Sequence, residues 1–105
     1  MPIKRYEIRY LPLFQNDLRQ IVQYILNTLK NSDAAEAIVD SIEKAIVTRS
    51  YCAESFKPYP STRNRELPYY AIYVNNYVVY YVVIDHQIME VRRCLNKGRD
   101  RVNLI

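Results

Sequence analysis

The sequence predicts an α+β domain with the element order β-α-α-β-β-β, a helix hairpin packed on one face of a twisted, mainly antiparallel four-stranded sheet. Three observations carry this. Residues 1–11 alternate at the period of a strand, residues 12–50 hold apolar residues at helical spacing in two runs, and residues 69–95 hold three β-branched and aromatic runs separated by turn signals. With 105 residues, half of them apolar and a single glycine (Gly98), the chain has the composition of one globular domain.

The first strand reads from "KRYEIRYL", where Tyr6, Ile8 and Tyr10 share one face and Arg5, Glu7 and Arg9 the other. Pro12 suits the first turn of a helix, where a missing N–H costs no hydrogen bond. Phe14, Leu18, Ile21, Val22, Ile25, Leu26 and Leu29 then recur at helical spacing, with Asp17, Arg19, Gln20, Gln23 and Asn27 opposite. "NSDAAE" interrupts the pattern, and Asp33 with Glu36 three residues on predicts a capping box for the second helix. Ala34, Ile38, Ser41, Ile42, Ala45 and Ile46 form a narrow stripe that lets two helices approach closely, and the short connection makes them antiparallel.

Residues 51–68 hold prolines and no period, and read as a loop. Tyr69–Val74, Tyr77–Ile84 and Ile88–Leu95 are the three strands of a meander. Asn75-Asn76 makes a two-residue turn that tolerates positive φ, and Asp85-His86-Gln87 makes the next. Tyr77–Ile84 is apolar on both faces, as a central covered strand is, so Tyr77, Tyr80 and Tyr81 read as core or core edge. In the last strand Met89, Val91, Arg93 and Leu95 fall on one face and Ile88, Glu90, Arg92 and Cys94 on the other. Glu90 and Arg92 form an exposed, self-compensating pair. Arg93 lies on the apolar face, where a charge needs a partner such as Glu66 or a wet concave site. Residues 96–105 are a basic tail, with a turn at Gly98.

The net charge of +4 comes wholly from the second half, where Lys57, Arg63, Arg65, Arg92, Arg93, Lys97, Arg99 and Arg101 face four acids. Such a one-sided surface suits an anionic partner, or is simply a solvated face. Cys52, Cys94 and the single His86 match no metal spacing, so neither a metal nor another cofactor is expected. The first residues lack a signal-type apolar run, and no apolar run reaches bilayer length, which predicts a cytoplasmic protein with reduced thiols and no membrane partner.

The stretch "NNYVVYYVVIDHQIMEVRRCLNKGRD" resembles the RelE/ParE superfamily of bacterial type II toxins. It has Tyr77 after a hairpin turn, Tyr81 four residues later, an Asp-containing turn, a strand carrying Arg93 and a closing "KGRD". "PLFQNDLRQIVQYI" is similar to the family's first helix, and the order of elements matches over nearly the whole chain. The resemblance implies a small toxin encoded beside a cognate antitoxin that neutralises it through an acidic or amphipathic segment, docked as a helix in a groove or as a strand on a sheet edge.

One branch of that superfamily cleaves mRNA in the ribosome through attack of a ribose 2′-hydroxyl, which requires a proton acceptor, a proton donor and cations for the phosphorane. The other inhibits DNA gyrase. Carried over, the nuclease pattern offers Lys57, Arg65 and Arg99 as catalytic candidates. Val74 and Asn75 stand where that branch has an arginine, and "VNLI" stands where it has a terminal aromatic residue. His86, in the β-turn, reads as a surface residue. The "RRCLNKGRD" ending is closer to the ParE-like branch, which makes gyrase the expected target and Lys57, Arg63, Arg65, Arg93, Lys97, Arg99 and Arg101 a target- or nucleic-acid-binding set. The alternatives are the mRNA endonuclease, a non-toxic relic that binds only its antitoxin, and an unrelated basic domain that binds RNA by charge.

Overall fold

The structure, a computed structural model, describes residues 5–59 and 67–98. Its elements are β1 (Glu7–Tyr10), α1 (Pro12–Asn27), α2 (Ser32–Arg49), β2 (Tyr70–Val74), β3 (Tyr77–Ile84) and β4 (Ile88–Asn96). The sheet order is β1-β4-β3-β2, with β2, β3 and β4 antiparallel and β1 parallel to β4. The predicted α+β class and order of elements therefore hold, and the mixed sheet owes its one parallel pair to β1.

Both helices lie on one face. Phe14 and Ile25 of α1 and Ile38, Ile42 and Ile46 of α2 pack with Val79, Tyr81, Met89, Val91 and Cys94 of the sheet. The opposite face buries Tyr69, Val78, Tyr80, Val82 and Leu95, with Tyr59 and Leu67 packed over them. Strand β3 is thus covered on both sides, which is why it carries no polar residue, and Tyr80 and Tyr81 are fully buried. The hairpin turn forms at Asn75, whose φ is 52°.

Four details differ from the sequence expectation, each for a local reason. Helix α2 is capped by Asn31, whose side chain accepts the Ala34 N–H at 3.0 Å, so the helix starts two residues earlier than an Asp33 cap would set it and Asp33 sits in the first turn. Leu26 and Leu29 are 41% and 58% exposed, since Leu26 lies one position round the helix from the buried Ile25 and Leu29 lies past the end of α1. Asp17, placed on the polar side, is buried; it lies three residues after Phe14 and four before Ile21, and so shares their stripe. Finally, β4 is bulged. Its register runs Tyr80↔Arg93 and then Tyr81↔Val91, leaving Arg92 as the extra residue. Beyond the bulge the alternation is reversed. Cys94 joins Met89 and Val91 in the helix-side core while Leu95 joins the other, and Glu90 is buried with Arg92 at 2.9 Å instead of exposed.

Candidate functional site

The bulge sets the surroundings of Arg93. Strand β1 accompanies β4 only as far as Val91, whose carbonyl accepts the Leu11 N–H at 3.0 Å; the chain then turns at Pro12 into α1. The edge of β4 beyond Val91 is met by Asp17 from α1. Its Oδ2 accepts the Cys94 N–H at 3.0 Å and Arg93 Nε at 2.7 Å, and its Oδ1 accepts the second guanidinium donor at 3.0 Å. A two-toothed carboxylate–guanidinium pair of this kind fixes both geometry and charge. The hydrogen bonding that Arg93 donates to the Asp17 carboxylate holds its guanidinium above the ordinary pKa. Burial, reinforced by Asp17, pushes the Cys94 thiol up to about 12, so it is an inert core group. Beside this pair a cleft of about 270 Å³ opens between Gln20, Ile21 and Tyr24 of α1 and Tyr77 and Asn96 of the sheet.

A second polar cluster ties down the turn after α2. The Tyr81 hydroxyl donates to the Ala53 carbonyl at 2.7 Å and accepts from Arg49 at 3.0 Å. Tyr70 stacks on Tyr81 with ring centroids 5.2 Å apart. The Tyr6 hydroxyl donates to Glu54 at 2.8 Å, and Nδ1 of His86 lies 2.7 Å from the other Glu54 oxygen. Burial and then the Glu54 carboxylate push Tyr6 up to about 12.

Of the seven cations predicted as a binding set, Arg63, Arg65, Arg99 and Arg101 lie outside the described residues, as does Glu66. Lys57 is exposed directly after the tied turn. Lys97 is exposed at the end of β4, with its ammonium 5.7 Å from the centre of the Tyr73 ring. Arg93 is engaged by Asp17. The described three therefore sit in separate surroundings. Sequence reasoning missed Asp17, Arg49 and Glu54 as organising residues; for Asp17 the signal was its place on the apolar stripe, while the other two join segments far apart in the chain. Among the described residues, no group of three His, Cys, Asp or Glu side chains is placed to hold a metal ion, and no helix is long and apolar enough to cross a membrane.

The sequence profile of the ParE toxin of the type II toxin–antitoxin system parDE matches residues 8–101. The chain belongs to the ParE toxin family. That span runs from the second residue of β1 to beyond the end of β4, and it resolves the superfamily resemblance in favour of the ParE-like branch. The partner of a toxin of this class is the antitoxin of its module. No curated protein matches the chain.

Proposed function

We propose that this ParE-family toxin arrests growth in the cytoplasm by binding DNA gyrase, and that its antitoxin neutralises it by covering the helix hairpin. The observation that carries the first half is what occupies the positions where a ribonuclease would need chemistry. The end of β2 holds Val74, which is buried, and Asn75, which makes the turn. Arg93 is committed to Asp17, and His86 meets Glu54 at the β3–β4 turn. These placements support a surface that binds over one that transfers protons.

The second half rests on α1. Leu18 and Val22 line a groove of about 460 Å³ that reaches Val39 of α2. The same row of α1 continues at helical spacing into the exposed Leu26, with Leu29 just past the helix. An amphipathic helix laid on that row would bury them, and Arg19 at its margin suits an acidic residue.

The experiment is induction of the toxin without its antitoxin, with plasmid supercoiling and RNA 5′ ends followed together. Growth arrest with altered supercoiling is the expected outcome. New 5′ ends at fixed codon positions, abolished when translation is blocked, would instead identify a ribosome-dependent nuclease and bring Lys57, Arg65 and Arg99 forward. Absence of arrest would leave a protein that only binds its antitoxin.

A further inference from the structure

We infer that Tyr51 and Phe56, on the turn after α2, form a rigid aromatic anchor for an acidic protein surface, and that this surface belongs to the toxin's target; the second clause rests on the gyrase-binding reading above. Both rings are large and conspicuously uncovered, 48% and 46% exposed, within six residues of one another and next to the exposed Lys57. Exposed aromatics on a turn normally contribute little to affinity, because binding must first order them. Here the ordering is already done.

The guanidinium of Arg49 lies 3.6 Å from the centre of the Phe56 ring. Arg49 itself is fixed by the Tyr81 hydroxyl and the Ala71 carbonyl, at 3.0 and 3.4 Å. The turn is joined to β1 by the Tyr6 N–H, donated to the Ser50 carbonyl at 2.8 Å, and by the Tyr6 hydroxyl on Glu54. It is joined to β3 by Tyr81 on Ala53. Within it, the Cys52 and Ser55 N–H groups close successive turns on the Arg49 and Cys52 carbonyls. A cation supports each ring, since Arg5 stands 5.9 Å from the centre of Tyr51.

Fixed aromatic rings accompanied by arginine are the chemistry of interface hot spots. The charge selects the partner. Arg5 faces Tyr51, Arg49 faces Phe56 and the exposed Lys57 directly follows Phe56, while the one carboxylate of the turn, Glu54, is taken up by Tyr6 and His86. The complementary surface is therefore acidic, with an apolar recess for the rings. It is a different surface from the α1–α2 groove proposed for the antitoxin, which is lined by Leu18, Val22 and Val39.

The test is the double variant Tyr51→Ser/Phe56→Ser in the full chain, assayed for growth arrest, for binding to intact gyrase and for binding to the antitoxin. Loss of arrest, with gyrase affinity reduced roughly tenfold or more, is expected while antitoxin binding and the unfolding midpoint are kept. Phe56→Leu, which keeps apolar bulk beside Arg49, replaces the double variant if that does not fold, with a smaller loss in the same direction. Unchanged gyrase affinity would overturn the inference. So would a parallel loss of antitoxin binding, or a wild-type protein that binds a single-stranded RNA oligonucleotide through these rings. If the wild type arrests growth without binding gyrase, the functional proposal fails separately; arrest retained by the double variant then overturns the anchor, and arrest lost in a folded, antitoxin-binding variant upholds it.

Discussion

At the scale of single residues, the Asp17–Arg93 pair is costly to break from one side. Its two side chains are 7% and 17% exposed, and removing one partner leaves a charge that water cannot reach. Asp17→Asn is expected to destabilise the fold by about 3–5 kcal/mol, measured as a fall in the urea midpoint. Asp17→Leu/Arg93→Met, which removes both charges, should cost clearly less than either charge removed alone. A loss of toxicity in Arg93→Ala has to be read beside its unfolding midpoint, since the residue holds β4 to α1. Alkaline pH probes Cys94 beside this pair and Tyr6 in the second polar cluster. Cys94 and Tyr6 are both neutral in the fold with pKa values pushed up to about 12, from ordinary values of 9.0 and 10.0. The unfolded chain gives up these protons first, so their contribution is complete below about pH 9 and is lost as pH rises toward about 12. Urea midpoints taken across that window should fall steadily, and the fall should be shallower in Cys94→Ala. The charged partner of Arg93 was the part of this site hardest to read in sequence. A carboxylate 76 residues away is invisible to local pattern, and only its position on the apolar stripe set Asp17 apart from the other α1 polar residues.

At the scale of elements, apolar patterning was sufficient for both helices and all four strands: helical spacing for α1 and α2, alternation for β1, and in β3 the unbroken apolar run of a strand covered on both faces. What it could not supply was punctuation. Asn31 and Asp33 are both good capping residues, and the choice between them depends on where the chain leaves α1; Lys30, with φ of 52°, makes that turn and puts Asn31 in position. Asn31→Ala is expected to cost about 1 kcal/mol of stability and Asp33→Ala less, the second losing only the interaction of an acid with the helix N-terminus. Equal losses in urea titrations of the two would mean that the helix is capped by both. The bulge at Arg92 was likewise hidden, since "MEVRRCLN" alternates well in either of two registers. One inserted residue exchanged the faces of Cys94 and Leu95, and with them the surroundings of Arg93.

At the scale of the whole molecule, the order of elements and the stretch from Asn75 to Asp100 pointed to the right family, but the basic residues prominent in the sequence do not form one group among those described. Arg92 and Arg93 are structural, Lys97 accompanies Tyr73, and Lys57 follows the turn that Arg49 and Glu54 hold in place. Counting charge along a chain locates a face only when neighbouring cations share it, and here Arg92 pairs with Glu90 while Arg93 pairs with Asp17. The sheet order has a further consequence, for timing. Strand β4 lies between β1 and β3, so the first strand to be made has no neighbour until the last one has been made, and the Asp17 carboxylate waits for the same segment. Contacts between such distant parts of a chain form late. A half-synthesised toxin consequently has neither a finished sheet nor a neutralised buried acid. The sheet is complete only when its final strand arrives, so the one strand that joins β1 to the rest of the sheet is also the last to leave the ribosome.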